Sequence, residues 1–187
     1  MERVTVLFCF LVVLSTAQKT GFGPCPDALP LSSLDVKRYL GKWHEIYKIP
    51  NFFEADQSCI TANYSLKADG HIKVFNQGVT NGQPVSKTGD AYVPNPSEPA
   101  KLMVKFSENS PYAPYWVLDT DYTNYTVVFS CESFGKIAHA QFAWILSRNI
   151  TITESLNQKL FQTLENNGVP ASYLKKADQS NCTSSKK

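Results

Sequence analysis

The sequence predicts an all-β protein: an eight-stranded antiparallel up-and-down barrel with one C-terminal α-helix packed outside it. Short segments in which polar and apolar residues alternate recur at regular spacing, and one later segment has helical periodicity. Closing the sheet into a barrel removes the exposed edge strands that an open sheet would have to protect. The pattern alone also fits a β-sandwich.

The first 17 residues have the features of a secretory signal peptide. Arg3 supplies a positive charge, residues 4–14 are apolar, and the small residues of 15–17 form a cleavage site. The apolar run is too short to cross a bilayer, which takes roughly 20 residues. We therefore expect cleavage after Ala17, secretion to the extracellular space, and a single barrel domain over residues 18–187.

Eight segments are predicted to be strands because their side chains alternate and turn-forming residues separate them. Asp69-Gly70 is a hairpin signal after the second strand, and the proline-rich residues 94–99 end the fourth. An eight-stranded barrel has room for side chains or one small ligand. The predicted strands span residues 43–49, 59–66, 71–77, 85–93, 101–106, 115–120, 125–131 and 138–146.

A helix is predicted over about residues 153–167, followed by a tail to residue 187, because leucines recur every four positions. Thr151 and Glu154 fit a capping box at its start, and Gly168 suits its C-terminal cap. The apolar stripe is narrow, so the helix should lie against the outside of the sheet. The stripe consists of Leu156, Leu160 and Leu164.

Covalent features agree with secretion. Once Cys9 leaves with the signal peptide, an even number of cysteines remains, which predicts two disulfides with three possible pairings. Their spacings are too long for a zinc or redox CxxC motif, so no metal or cofactor is expected. The cysteines are Cys25, Cys59, Cys131 and Cys182. Glycosylation is expected at the N-x-S/T acceptors Asn63, Asn124, Asn149 and Asn181.

The charge and the aromatic content limit the class of partner. The net charge is +2 and no block of lysines or arginines forms a basic stripe, so nucleic acid is not an expected partner. Aromatic residues make up 12% of the chain and require either a core or a pocket.

Three short motifs resemble those of the lipocalin family, in the family's order and at a spacing suited to a barrel. They are Gly41-Lys42-Trp43 at the first strand, Thr120-Asp121-Tyr122 between the sixth and seventh strands, and Arg148 after the eighth. The resemblance spans nearly the whole mature chain. It implies an eight-stranded barrel and an extracellular carrier of small hydrophobic molecules.

The resemblance also implies roles for the motif residues. In lipocalins the tryptophan plugs the closed end of the barrel and the arginine packs across it, so Trp43 and Arg148 are expected to be structural. Asp121 is expected to fix its turn through backbone hydrogen bonds. The same resemblance implies the disulfides Cys25–Cys131 and Cys59–Cys182.

Function is expected to reside in the barrel interior. The resemblance places Trp144 inward, and strand alternation then turns Phe142 and Leu146 inward and Ala143 and Ile145 outward. The alternative for each pocket residue is ordinary core packing. The expected ligand-binding residues are Tyr64, Asn76, Val104, Phe106, Phe142, Trp144 and Leu146.

Such a pocket is an aromatic wall with a few orienting polar groups. Lys73 and Lys105 are expected to point away from it, so no fixed cation is available for a carboxylate. This favours a neutral sterol-like or a weakly anchored acyl ligand. The resemblance implies a steroid such as progesterone, or arachidonic acid or another fatty acid.

The loop containing Phe52 and Phe53 is expected at the open rim of the barrel. There these two side chains could contact a lipoprotein or membrane surface, or form a lid. The alternative is that one phenylalanine folds back into the barrel mouth.

An isomerase of the kind that acts on prostaglandins needs a free cysteine thiolate, and the expected disulfides leave none. The sequence also lacks GxSxG and HExxH motifs, so no enzymatic activity is expected. A protein-binding or a lipid-antioxidant lipocalin remains as an alternative.

Overall fold

The computed structural model describes residues 19–180 and residue 182. The predicted signal peptide, residues 1–17, and the acceptor Asn181 lie outside the described residues. One sheet of ten strands contains every strand of the described chain. The strands are β1 (Lys19–Phe22), β2 (Gly41–Lys48), β3 (Gln57–Leu66), β4 (Ile72–Thr80), β5 (Gln83–Tyr92), β6 (Lys101–Lys105), β7 (Ala113–Thr120), β8 (Tyr125–Phe134), β9 (Ala138–Ser147) and β10 (Lys175–Lys176).

Strands β2 to β9 pair in sequence order, and the additional pairing of β2 with β9 closes them into the predicted eight-stranded barrel. Because the sheet closes on itself, the alternative prediction of a β-sandwich is excluded. The two other strands are β1, which pairs with β9, and β10, which pairs with β2. Strand β1 lies beside the part of β9 that does not pair with β2, and β10 lies beside the part of β2 that does not pair with β3. Strands of four and two residues are too short for their periodicity to be recognised in the sequence.

A β-bulge in β2 changes which of its side chains face the interior. Glu45 lies opposite Leu146 of β9, but after the bulge at Ile46 it is Lys48 that lies opposite Trp144. Directly opposed residues share a face of the sheet. Glu45 and Lys48 therefore lie on the same side as Leu146 and Trp144, which is the inner side of the barrel.

The two sides of the barrel wall contain separate apolar cores. The inner core includes Trp43, Tyr64, Val128 and Leu146. The outer core includes Ala143 and Ile145, as alternation predicts, together with leucines of the C-terminal helix. The described helices are α1 (Val36–Tyr39), α2 (Glu154–Asn166) and two short 3-10 helices, Phe52–Glu54 and Ala171–Tyr173.

Helix α2 lies outside the sheet, as predicted, but its N-cap is Thr153 and not Thr151. The Thr153 hydroxyl accepts a hydrogen bond from the Leu156 amide, so the predicted capping box was placed two residues too early. At the other end Gly168 has a φ of +77°, and Val169 donates to the Leu164 carbonyl. This is the Schellman geometry for which glycine is favoured.

Two disulfides, Cys25–Cys131 and Cys59–Cys182, hold the N-terminal segment and the C-terminal tail against the barrel. They are the pairing that the resemblance implied. Among the described residues no helix is long and apolar enough to span a membrane.

Candidate functional site

The closed end of the barrel is built around Trp43 and Arg148. Trp43 is fully buried, and the guanidinium carbon lies 3.6 Å from the centre of its ring system. A Cβ at Gly41 would lie 3.3 Å from the Arg148 side chain, so the glycine leaves room for the arginine. Arg148 donates hydrogen bonds to five backbone carbonyls, those of Arg38, Tyr39, Leu40, Lys42 and Tyr122. These contacts give the pair a structural role.

The turn after β7 is held by the second motif. The Asp121 carboxylate accepts from the amides of Thr123, Asn124 and Tyr125, and the Thr120 hydroxyl donates to the Tyr125 carbonyl. Tyr122 has a φ of +69° and offers its carbonyl to Arg148. The turn and the arginine therefore support each other.

The burial of the inward side chains changes along the barrel. Near the closed end they are almost fully buried, with Val74 at 3% and Leu102 at 2% exposure. Toward the other end inward residues remain partly accessible, although they lie inside a closed sheet. This accessibility defines a cavity that opens at the end opposite Trp43. The partly accessible residues are Asn76, Val104, Phe106, Phe142 and Trp144.

The structure brings the expected ligand-binding residues to one side of the sheet. Tyr64 and Leu146 lie in the inner core at 6% exposure each, below the partly accessible residues. Phe142 stacks on Trp144 with 6.2 Å between ring centroids. Phe106 lies against Gly89, where an added Cβ would come within 2.8 Å of its ring.

A chain of phenols forms the cavity floor. The Tyr115 hydroxyl lies 2.8 Å from those of both Tyr39 and Tyr64, and Thr126 donates to the Tyr39 oxygen. Burial raises the pKa of Tyr39 to about 12, and it also raises the pKa values of Tyr64 and Tyr115 well above that of a free phenol. The phenols thus stay neutral at physiological pH and can both donate and accept hydrogen bonds.

Asn76 is the polar residue of the cavity wall. Its side chain faces inward opposite Ala62, and its amide oxygen is buried with no hydrogen-bond partner among the described residues. A buried acceptor without a partner costs about 1–3 kcal/mol. A ligand that carries a donor group, or a bound water molecule, would satisfy it.

The expectation that the cavity has no fixed cation is wrong. Lys48 points inward because of the bulge in β2, and its ammonium lies 3.0 Å from a carboxyl oxygen of Glu45 and 3.3 Å from one of Glu54. The same Glu54 oxygen accepts from Asn51 at 2.7 Å and from the Trp144 indole at 3.3 Å. We call Lys48, Asn51, Glu54 and Trp144 the mouth cluster.

Glu45 lies beside the mouth cluster and is 2% exposed. Burial raises its pKa to about 8, the nearby Glu54 raises it as well, and Lys48 opposes both effects. Glu45 therefore holds its proton at neutral pH, and the Lys48 ammonium lies between its carboxyl group and that of Glu54.

The loop between β2 and β3 lies at the cavity mouth. Phe53 packs against Phe142 and Trp144, with centroids at 5.6 and 6.5 Å, while Phe52 is 66% exposed. Phe53 is itself 47% exposed and its ring contacts that of Phe52, so the two environments differ in degree. Phe53 covers part of the mouth and Phe52 faces solvent.

The described glycosylation acceptors are accessible. Asn63 on β3, Asn124 in the turn after β7, and Asn149 after β9 are all exposed. A surface depression of about 410 Å³ lies near the start of β4, beside α1, and is lined by Val36, His71 and Tyr92 among others.

Comparisons with known proteins agree with this architecture. A family model described as a lipocalin-like domain matches residues 34–179. Apolipoprotein D of Mus musculus is 42% identical over 173 residues, which is 92% of this chain and 91% of the mouse protein. Apolipoprotein D of Bos taurus is 43% identical over 164 residues, 87% of this chain and 86% of the cattle protein.

The solved structure of insecticyanin from the tobacco hornworm Manduca sexta matches with a TM-score of 0.78 at 29% identity. The match covers 90% of this chain and 94% of insecticyanin. The chain therefore belongs to the lipocalin family, whose members bind small hydrophobic ligands. Within that family it is similar to apolipoprotein D over most of its length.

Proposed function

We propose that the protein is a secreted carrier that binds one small apolar molecule in the open half of the barrel. Its ligand is a steroid of the progesterone type or a fatty acid such as arachidonic acid. The partly accessible aromatic wall of Phe106, Phe142 and Trp144 is the observation that carries this proposal. Pockets of this kind bind apolar ligands, and a few polar groups orient them.

Two polar groups suit such a ligand. The Tyr64 hydroxyl ends the phenol chain on the cavity floor, and Asn76 offers its unpaired amide oxygen from the wall. A steroid ketone would accept a hydrogen bond from the phenol, and a steroid hydroxyl would donate to the amide oxygen. Val104 and Leu146 complete the apolar surface.

Secretion is supported by the signal-peptide pattern of residues 1–17 and by two disulfides, which persist in oxidising compartments. Expression in cultured animal cells tests it. We expect the protein in the medium, starting at Gln18 and carrying glycans on Asn63, Asn124, Asn149 and Asn181. Retention inside the cell would contradict the proposal.

Tryptophan fluorescence tests ligand binding, because only one of the three tryptophans lies in the cavity wall. Trp43 is buried at the closed end and Trp116 packs in the outer core. Progesterone or arachidonic acid should therefore quench Trp144 with saturation. The Trp144→Phe variant should lose this quenching while keeping the emission of the other two tryptophans.

Native mass spectrometry of the secreted protein provides a second readout that needs no chosen ligand. We expect a lipid bound in a one-to-one complex. If neither ligand quenches Trp144 and no lipid accompanies the protein, the carrier function is wrong.

A second proposed function is contact with a lipid surface through the β2–β3 loop. The exposed Phe52 side chain supports it, since aromatic rings partition into the interfacial region of membranes. Flotation with phosphatidylcholine vesicles or lipoprotein particles tests the idea. Phe52→Ser should reduce association more than Phe53→Ser, whose ring already packs on Phe142; unchanged association in the double variant would dispose of the idea.

A further inference from the structure

Three nitrogen donors converge on one carboxylate oxygen at the cavity mouth. Asn51 Nδ2, Lys48 Nζ and Trp144 Nε1 lie 2.7, 3.3 and 3.3 Å from Oε2 of Glu54. Such convergence of an ammonium and two neutral donors is the recognition pattern of a carboxylate. Here the chain's own glutamate provides that carboxylate.

Two of the three donors lie on barrel strands, and the third donor lies in the same loop as the acceptor. Lys48 and Trp144 lie opposite each other on paired strands of the barrel, and Asn51 is only 3% exposed. Glu54 lies at the end of a three-residue 3-10 helix in the β2–β3 loop, beside the exposed Phe52. Lys48 and Trp144 are therefore held by the barrel wall, whereas Asn51 and Glu54 both belong to the β2–β3 loop, where Asn51 caps the short helix that carries Glu54.

The charge of the cluster favours exchange over addition. The ammonium of Lys48 already lies within 3.3 Å of two carboxyl groups, those of Glu45 and Glu54. A third carboxyl group would add an unpaired buried negative charge, which is strongly unfavourable. Replacing Glu54 by another carboxylate leaves the buried charge unchanged and releases Glu54 to water.

We propose that the mouth cluster is a carboxylate-binding site that Glu54 occupies in the free protein and that the carboxylate of a long-chain fatty acid takes over on binding. The acyl chain then extends along Trp144 and Phe142 into the cavity, and the loop bearing Phe52 and Phe53 moves away from the mouth. This inference rests on the proposed carrier function and names fatty acids as a ligand class that the site distinguishes from neutral lipids.

A second lysine provides the matched control. Lys87 of β5 lies opposite Asn76 at the exposed rim of the sheet, and no ion pair to it occurs within residues 19–180. It has the same charge as Lys48 but lacks converging donors. A general attraction of the rim for anions would depend on both lysines, whereas the proposed site depends on Lys48 alone.

The experiment compares arachidonic acid with its methyl ester, which has the same chain and no charge. Dissociation constants are measured by quenching of Trp144 in the full-length secreted protein and in Lys48→Met, Lys87→Met and Glu54→Gln variants. In Lys48→Met the preference for acid over ester should fall by about tenfold or more, the value of one charged hydrogen bond. Lys87→Met should keep the preference within about twofold of wild type.

Removing Glu54 should act in the opposite direction. Glu54→Gln deletes the competing carboxylate, so acid affinity should rise relative to the ester. Because Lys48→Met leaves two buried carboxyl groups without a cation, the double variant Lys48→Met/Glu54→Gln is measured as well. Compared with Glu54→Gln alone, it should lose the gain in acid affinity.

Three results would overturn the inference. One is an equal loss for acid and ester in Lys48→Met, another is a loss of the preference in Lys87→Met, and the third is binding of progesterone without any binding of the acid. The third leaves the carrier function intact. Failure of the wild-type protein to bind acid, ester and progesterone overturns the carrier function and this inference together.

Discussion

The two ends of the barrel are stabilised in different ways. At the closed end Trp43 is fully buried, and Arg148 satisfies five backbone carbonyls while covering the indole. The open half holds a buried glutamate with a raised pKa, an amide oxygen without a partner and partly accessible aromatic rings. Polar groups that destabilise a fold are kept where a ligand can form hydrogen bonds with them. The closed end therefore stabilises the barrel, and the open half is suited to binding a ligand.

The largest effect is expected at the closed end. Trp43→Ala removes a fully buried indole and its cation–π contact, and should lower the free energy of unfolding by about 3–5 kcal/mol in urea denaturation. Trp144→Ala removes a ring that is already partly accessible. It should cost less stability while weakening ligand binding. If Trp43→Ala and Trp144→Ala lowered the free energy of unfolding equally, the two ends would contribute equally to stability.

The pH dependence of stability tests the open half. The folded-state pKa of Glu45 is raised from 4.5 to about 8, so between these values the folded protein keeps a proton that the unfolded chain has released. Stability due to Glu45 is therefore complete below pH 4.5 and falls as the pH rises toward 8. The decline attributable to this residue should be about 3 kcal/mol between pH 5 and pH 7.5.

Glu45→Gln keeps the shape of the side chain and cannot ionise, so its stability should vary less over this pH range than that of the wild type. Urea denaturation at several pH values measures both proteins. Parallel curves would mean that Glu45 is ionised in the folded state. The cavity mouth would then carry an additional negative charge on Glu45.

The closed end could be predicted from the sequence more completely than the open half. Its motifs are short and contiguous, and each residue type has one geometric use: Gly41 makes room, Trp43 fills space and Arg148 binds carbonyls. Strand alternation predicted the eight strands but also fitted a sandwich, and the resemblance to lipocalins favoured the barrel. The N-cap of α2 was misplaced because both Thr151 and Thr153 can cap a helix, and only the path of the chain after β9 decides between them.

The mouth cluster could not be predicted, because one β-bulge changes which residues of β2 face the barrel interior. Strict alternation from an inward Trp43 would place Lys48 outside the barrel. The extra residue at Ile46 shifts the register, so Lys48 lies inside and faces Trp144. A bulge depends on how two strands pair and leaves no pattern in either strand alone. The short helix that carries Glu54 is likewise set by contacts with the rim.

The smallest expected effect compares two asparagines of the open half. The Asn76 amide oxygen is buried without a partner, whereas Asn51 donates to Glu54 and accepts from the Glu54 amide. Asn76→Leu should leave the free energy of unfolding unchanged or raise it by about 1 kcal/mol, because it removes an unsatisfied acceptor. Asn51→Ala should lower it by about 1–2 kcal/mol, because it breaks two bonds that the loop uses.

Ligand titrations of the same two variants complete the comparison. Asn76→Leu should weaken binding of a hydroxylated steroid by about tenfold relative to a steroid without that hydroxyl, the value of one hydrogen bond to a buried acceptor. Urea denaturation and quenching of Trp144 measure the two properties on the same samples. A stability loss in Asn76→Leu as large as that in Asn51→Ala would mean that Asn76 serves the fold. Asn76 would then stabilise the fold from within the open half. The proposed contrast between a stabilising closed end and a ligand-binding open half would be wrong for this residue.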